Sequence, residues 1–420
     1  MLDPISCLLV EVLCAVLVPL VYTRCLHARL DRSAGALSCH GVLAVGMVIP
    51  MLFGWQKLVA ESWGLANFVL LDEVVLMLPG LVSYALINYL VLKSRLHNSP
   101  DFEDSSTEQP SIESILSTQL KLDLVAVLLP AITLIAVGDF LRQVNWSEGQ
   151  AMLALLTGLL VLLCVFPFIF SRVMGLEPIT DPEALARLTR ICAKLGVKKI
   201  KLMRWDNDNL AANAFLLGVF PWGRRLVVTE QLIKDFDQSL DSIVGHEVAH
   251  LNRAHLWWRA LSVGAPLIVM ATAIVAGVWT FPKQPLDLAG FSLPVSILVV
   301  PVYLLYVFLT LAILAPLMEH EADLVSDELS RKSGRLPGHQ DQQELGPTPM
   351  AFALQSLGHS LGGQFTTRTW LHPSLLDRIV LVNRAAFDPT IPNRVYGKLR
   401  LVKAMILILN LLLLGFLFLA

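Results

Sequence analysis

Residues 239–260 read SLDSIVGHEVAHLNRAHLWWRA, and this stretch decides how the rest of the chain is interpreted. It contains no proline and a single glycine, Gly245, so we expect one continuous helix that runs into the apolar segment after it. Within it, HEVAH at 246–250 places the imidazoles of His246 and His250 about 40° apart around a helix. Both rings therefore lie on one face and can share a metal ion.

The spacing of these residues is typical of a catalytic zinc site. Zinc accepts imidazole nitrogens in a tetrahedral arrangement, and catalytic sites leave one position for water. Glu247 lies roughly 100° round the helix from the first histidine, off the ligand row, and is expected to act as the base toward that water. A solvated helix face at a membrane surface is the alternative interpretation.

A third zinc ligand has to come from another part of the chain. His255 follows the motif by five residues, which on a continuous helix turns its ring about 140° away, so we expect it to point elsewhere. The next concentration of possible ligands is EHEAD at 319–323, directly after an apolar run. On spacing alone, Glu319, His320 and Glu321 all compete for the third position.

The composition indicates a membrane protein. Among 420 residues, 55% are hydrophobic and 16% charged, whereas soluble domains have about 25% charged residues. A bilayer core about 30 Å thick is crossed by roughly 20 apolar residues in a helix. Such runs lie at 5–22, 37–53, 74–92, 122–137, 151–170, 261–279, 291–316 and 402–419. We therefore expect a mainly α, polytopic membrane protein with about eight transmembrane helices.

The polar segments add detail to this organisation. An amphipathic helix is expected over 181–195, and strands are expected at 199–205, 213–218 and 225–229. Basic residues follow alternate apolar runs, and the positive-inside rule places them, with the motif, on the cytoplasmic side. They are Arg24, Arg29, Arg32, Lys93, Arg95, Arg172, Lys398, Arg400 and Lys403.

Four blocks of the sequence resemble the M48 zinc metallopeptidases, a family that includes the Ste24-type CAAX prenyl endopeptidases and HtpX-like bacterial proteases. They are NAFLLGVFPWGRRLVVTEQLI (213–233), HEVAHLNRAH (246–255), EHEAD (319–323) and HPSLLDRI (372–379). The resemblance implies a gluzincin-type α+β protease domain at the cytoplasmic membrane surface. The family pattern E-x-x-A-D selects Glu319 as the third zinc ligand. The family pattern usually has an alanine three positions after the aspartate, and this chain has Ser326 there.

The resemblance also implies roles that spacing does not assign. Asn213 and His372 are similar to a polar pair that faces the scissile peptide and donates to the oxyanion. A turn or edge-strand asparagine and a helix-capping or interface histidine are the structural alternatives. Asp323 is expected to accept from a ligand histidine or to pair with Arg378, since metal sites orient their ligands in this way; a surface salt bridge is the alternative.

These expectations define five regions. An N-terminal membrane region covers 1–174, the first part of the protease domain 175–257, a transmembrane hairpin 258–316, the second part of the protease domain 317–397, and a last transmembrane helix 398–420.

The function implied is a zinc metalloendopeptidase, with one Zn²⁺ per chain, that hydrolyses membrane-associated proteins or peptides by means of an activated water. Damaged membrane proteins and C-terminal prenylated peptides remain competing substrates. A transporter or an inactive membrane scaffold is the alternative from another class. With a net charge of −2 and no basic stripe, nothing indicates a nucleic-acid partner. The six cysteines include no C-x-x-C pair, so a thiolate zinc site is not expected.

Overall fold

The structure, a computed structural model, describes most of the chain after residue 70. It covers 59, 63–64, 71–97, 111–125, single positions between 129 and 144, 146–208, 212–275, 286–288, 291–293, 295–332, 347–360 and 365–419. The apolar runs predicted at 5–22 and 37–53, and seven of the sixteen positions of the run predicted at 122–137, lie outside the described residues. The chain divides into two compact units, Met1–Asn145 and Trp146–Ala420.

The first unit contains two described helices, α1 (Leu71–His97) and α2 (Ile112–Asp123). Helix α1 contains the apolar run predicted at 74–92. The hydroxyl of Tyr84 donates a 2.6 Å hydrogen bond to Asp123. A hydrogen bond of 3.0 Å also joins the Gln119 amide to the Asn88 carbonyl oxygen. These polar contacts hold the two helices together.

The second unit contains most of the described helices and both sheets. Its helices are α3 (Glu148–Val173), α4 (Pro182–Lys194), α5 (Glu230–Asp235), α6 (Asp237–Asn252), α7 (His255–Val275), α8 (Val295–Lys332), α9 (Pro349–Ser360), α10 (Leu375–Phe387) and α11 (Thr390–Leu419). Helix α4 confirms the predicted amphipathic helix, and the carboxylate of Asp181 caps its first turn.

Two helices are long and apolar enough to cross a membrane by length and composition, among the residues that the structure describes. They correspond to Gly149–Val173 in α3 and Leu305–Lys332 in α8. Helices α7 and α11 contain the described parts of the runs predicted at 261–279 and 402–419. The mainly helical fold is confirmed, and the number of eight membrane spans stays a prediction.

The larger sheet lies next to the motif helix. It consists of β1 (Glu177–Pro178), β2 (Lys201–Trp205), β3 (Ala214–Leu217) and β4 (Arg225–Thr229), in the order β1-β2-β4-β3. Strands β2 and β4 are parallel, whereas β3 pairs antiparallel with β4 and forms one edge. Gly218 turns the chain after β3 with a φ of 83°, where a side chain would meet the carbonyl of Gly223.

A separate two-stranded sheet precedes α8. It joins β5 (Leu286–Leu288) to β6 (Phe291–Leu293). The helix predicted from residue 291 therefore begins only at Val295, because residues 291–293 pair as a strand. It also continues past the predicted end at 316 to Lys332, so the EHEAD residues belong to the same helix as the apolar run.

One hydrophobic core joins the larger sheet to α4 and α6. Leu188, Leu226, Val228, Val244 and Val248 are buried there in one cluster. Burial of such side chains contributes about 1.5–3 kcal/mol each. Packing of α6 against β3, α8 and α9 surrounds the helix and fixes which of its faces points away from the sheet.

The continuous helix predicted over 239–260 is wrong at Arg253 and Ala254. Helix α6 ends at Asn252, Ala254 has a left-handed φ of 56°, and α7 starts at His255. Both helices contact α8, but their other partners differ, since α6 packs on the sheet and α9 while α7 packs on α3 and α11. One straight helix could not make both sets of contacts. The break also changes the direction in which the side chain of His255 points.

Candidate metal centre

Three buried side chains converge between α6 and α8. The Nε2 atoms of His246 and His250 are 3.2 Å apart. The carboxylate of Glu319 lies 3.4 Å from Nε2 of His246 through one oxygen and 3.5 Å from Nε2 of His250 through the other. All three residues are buried, and their candidate ligand atoms lie within 4.8 Å of one another.

This arrangement fits a zinc ion. Ligand atoms placed 2.0–2.1 Å from a tetrahedral zinc are about 3.3 Å apart. The two imidazole nitrogens are 3.2 Å apart, and each lies 3.4 or 3.5 Å from one of the two Glu319 oxygens, close to that separation. Two imidazoles and one carboxylate also form a donor set that catalytic zinc sites use. Of the three ligands open on spacing alone, Glu319 is the one that meets both histidines.

The outer nitrogen of His246 faces a buried ion pair. Its Nδ1 lies 2.8 Å from Asp323, which is fully buried. Arg378, on α10, donates hydrogen bonds of 2.8 and 2.7 Å to the two oxygens of the same carboxylate. Both contacts expected for Asp323 therefore occur together. A carboxylate on the outer nitrogen orients a metal-binding histidine and raises its basicity.

The outer nitrogen of His250 meets His255, which helical periodicity predicted to point elsewhere. Nδ1 of His255 lies 2.8 Å from Nδ1 of His250, and Nε2 of His255 lies 2.7 Å from the carboxylate of Glu321. His255 is fully buried. Helix periodicity could not reveal this contact, because the left-handed residue Ala254 precedes His255.

Two further side chains approach the ligand carboxylate. Nδ1 of His372 is 3.3 Å from Glu319, and about half of the His372 side chain (51%) is exposed. The guanidinium of Arg259, on α7, donates a 2.9 Å hydrogen bond to the other oxygen of Glu319. Arg259 was also missed, and the sequence contains no local signal that pairs it with a residue 60 positions away.

The surroundings of the motif helix shift the pKa values of His246 and Glu247 upward and the pKa of His250 downward. Burial lowers the pKa of His246, but the charge and hydrogen bond of Asp323 outweigh it and raise that pKa to about 9. Burial and the charge of His246 lower the pKa of His250 well below its usual value, which keeps that ring neutral. Burial raises the pKa of Glu247 to about 7. The carboxylate of Asp323 thus favours positive charge at His246, whereas burial and the charge of His246 disfavour it at His250.

Asn213 stands at the start of the edge strand. It is exposed and directly precedes β3, which packs against α6. Its backbone N–H donates a 2.8 Å hydrogen bond to the Thr229 hydroxyl, and its carbonyl accepts from the Thr229 N–H at 2.9 Å. Strand pairing therefore fixes the backbone of Asn213 next to the motif helix.

Comparisons with known proteins address the same segment. The sequence model of a family described as Peptidase family M48 matches residues 178–385. A search of curated proteins finds no match. Among solved structures, the crystal structure of Ste24p from S. mikatae matches with a TM-score of 0.43 and 12% sequence identity, over 81% of this chain and 97% of that chain.

The family match contains the candidate metal centre. It includes all of α6 and of α8, with Glu319, and it ends in α10 at residue 385, after Arg378. The resemblance drawn from the four sequence blocks is thereby confirmed. The chain belongs to peptidase family M48.

Proposed function

We propose that this chain is a membrane-embedded zinc metalloendopeptidase that cleaves membrane-associated proteins or peptides at the cytoplasmic membrane surface. One observation carries the proposal: His246 and His250 on α6 converge with Glu319 on α8 at zinc-ligand spacing, within the segment that matches family M48. A transporter or a scaffold has no need of three donors held at this spacing.

The residues around the centre divide the chemistry of peptide hydrolysis among them. Zinc, when bound, lowers the pKa of a water molecule and polarises a carbonyl group. Glu247 takes the proton of the attacking water and returns it to the departing amine, a role suited to a carboxylate whose pKa burial raises to about 7. No covalent bond between the enzyme and its substrate is required.

Two polar side chains are proposed to stabilise the charge that develops on the substrate. Half of the His372 side chain remains exposed while its ring lies 3.3 Å from Glu319, so it stands between the ligands and solvent. Asn213 is exposed beside β3. In the proposed enzyme both donate hydrogen bonds to the carbonyl oxygen of the scissile peptide.

The edge strand β3 is proposed to hold the substrate backbone. An extended peptide can add to such an edge as a further strand, and backbone pairing then gives affinity with little demand on sequence. Strand β3 follows Asn213 directly and packs on the motif helix. A substrate paired with β3 would therefore extend past the metal ligands.

The membrane part of the proposal is supported by α8. Its apolar side chains Val302, Leu305 and Ile313 are between 56% and 67% exposed, as expected for lipid-facing positions. Glu319 follows Ile313 by six residues, which is about 9 Å along a helix axis. A metal held by Glu319 would thus lie close to the end of the lipid-facing surface.

An aromatic cluster supports the same location. Phe220 stacks on Trp222 with ring centroids 4.8 Å apart and meets the edge of Trp257 at 5.3 Å. Trp222 and Trp257 are exposed, and amphipathic aromatic rings are enriched where proteins meet lipid headgroups. Arg172 and Lys403, near the ends of α3 and of the apolar part of α11, support the cytoplasmic side under the positive-inside rule.

A matched pair of substrates tests the proposal. The purified enzyme in lipid vesicles is given one peptide, either free or joined to a membrane anchor. A third form of the same peptide carries a C-terminal prenyl group. We expect zinc-dependent cleavage with kcat/KM at least about tenfold higher for an anchored form, because anchoring raises the effective concentration. Equal cleavage of the free peptide would contradict the membrane-surface part, and no cleavage of any arm would contradict the peptidase part.

A further inference from the structure

The buried histidine His255 has both ring nitrogens engaged. Its Nδ1 lies 2.8 Å from Nδ1 of His250, and its Nε2 lies 2.7 Å from an oxygen of Glu321. The rings of His250 and His255 stand edge to face with centroids 4.9 Å apart. His255 is 0% exposed, so water does not compete for either nitrogen.

A single assignment of protons satisfies these contacts with both rings neutral. His250 directs Nε2 toward the other ligands, so that nitrogen must be free of a proton to bind a metal, and the proton stays on Nδ1. The Nδ1–H group then donates to Nδ1 of His255. This leaves the proton of His255 on Nε2, which donates to the Glu321 carboxylate. Each contact thus has one donor and one acceptor.

We propose that His255 and Glu321 are positioning residues that orient His250 and fix its tautomer for zinc binding, an inference that rests on the proposed zinc site. The two histidine ligands are then supported in different ways. His246 contacts the carboxylate of Asp323 directly at 2.8 Å. His250 reaches the carboxylate of Glu321 through the intervening imidazole of His255.

The break between α6 and α7 makes this contact possible. Ala254 adopts a left-handed φ of 56°, which returns the first residue of α7 toward the end of α6. The backbone N–H of Trp258 donates to the carbonyl of Ala254 at 3.2 Å, and the backbone N–H of Ala254 donates to the carbonyl of Leu251 at 3.1 Å. The turn thus fixes the backbone at both sides of His255.

Asparagine and glutamine at position 255 separate the two contacts of the histidine. The carbonyl oxygen of an asparagine occupies roughly the place of Nδ1 and can accept from His250, whereas it does not reach Glu321. The amide nitrogen of a glutamine occupies roughly the place of Nε2 and can donate to Glu321, whereas it leaves the Nδ1–H of His250 without an acceptor. The two variants remove opposite halves of the pair.

The test measures the zinc dissociation constant of the full-length protein in detergent, by competition with a chelating dye. We expect His255→Gln to weaken zinc binding about 10- to 100-fold, the range found when partners of metal ligands are lost, and His255→Asn to weaken it clearly less. Glu321→Ala combined with His255→Gln should weaken binding no more than His255→Gln alone, because the two residues act through one ligand.

Thermal unfolding of the zinc-free forms serves as the structural control. A purely structural role of His255 predicts that His255→Gln and His255→Asn lower the unfolding temperature without changing the zinc dissociation constant, or change it equally. Either result would overturn the positioning role. Absence of zinc binding by the wild-type protein would instead overturn the proposed function, so the two failures are distinguishable.

Discussion

Arg378 holds Asp323 through two hydrogen bonds of 2.8 and 2.7 Å, and the carboxylate they share is fully buried. Desolvation lowers the pKa of Arg378, but the charge of Asp323 outweighs it and raises that pKa above its usual value. The same carboxylate lies 2.8 Å from the outer nitrogen of His246. The ion pair therefore connects α10 to His246, a proposed zinc ligand on α6.

Arg378→Met should weaken zinc binding and destabilise the fold together. Removing one partner leaves the carboxylate of Asp323 buried without its counter-charge, which costs about 3–5 kcal/mol. Loss of a partner behind a ligand lowers metal affinity about 10- to 100-fold. Thermal unfolding with and without a chelator, together with zinc competition, measures both effects.

Arg384→Met is the matched control, since Arg384 lies on the same helix and is exposed. It should leave both the unfolding temperature and the zinc affinity near the wild-type values. A wild-type zinc affinity in Arg378→Met would show that the ion pair contributes nothing to the metal centre.

Gly245→Ala should destabilise the protein by about 1–3 kcal/mol, as overpacked core positions do. A β-carbon at Gly245 would lie 2.8 Å from the hydroxyl oxygen of Ser326 and 3.6 Å from Leu329. Ser326 is fully buried and donates a hydrogen bond to the Ser242 carbonyl, so it has little room to move. Thermal unfolding measures the loss.

Two further variants make this prediction specific. Ser326→Ala removes the clashing oxygen, so Gly245→Ala should cost clearly less in that background. Gly264→Ala, in α7, meets no atom within 4 Å and should be neutral or up to about 1 kcal/mol more stable. Equal losses for Gly245→Ala in both backgrounds would contradict the close contact between α6 and α8.

His372→Ala and Asn213→Ala should each reduce kcat by about 10²- to 10³-fold, the effect of losing one donor to an oxyanion. Neither residue is among the three proposed ligands, so the zinc content should remain at the wild-type level. His359→Ala, which removes another exposed histidine at the end of α9, is the control and should leave kcat unchanged. Full activity in either test variant would remove that residue from the mechanism.

The motif helix and its metal-binding face follow from local sequence. HEVAH at 246–250 places two imidazoles on one face of a helix by periodicity alone. The choice of third ligand does not follow in this way, because it depends on how α8 packs against α6 across some 70 positions. In the structure Glu319 faces the two histidines and Glu321 faces His255. The buried Nε2 of His320 meets no hydrogen-bond partner among the described residues.

The contact between His250 and His255 could not be predicted from the sequence, because it depends on the backbone conformation of Ala254. Positive φ angles are usual for glycine and uncommon for other residues, so Ala254 gives no signal that the helix ends there. The pairing of Arg259 with Glu319 could not be predicted for a related reason, since it depends on the direction that α7 takes after the helix break. Tertiary packing overrides the helical pattern at this junction.

Zinc content and proteolysis, measured together on the wild type, Glu247→Gln and Glu319→Ala, test the central claim most directly. The substrate is the membrane-anchored peptide, and the protein is purified in full length. A zinc endopeptidase built on these residues should contain about one zinc per chain in the wild type. It should retain zinc but lose cleavage in Glu247→Gln, and bind zinc weakly in Glu319→Ala. Wild-type cleavage by Glu247→Gln, or a wild type with neither zinc nor cleavage, would contradict the claim.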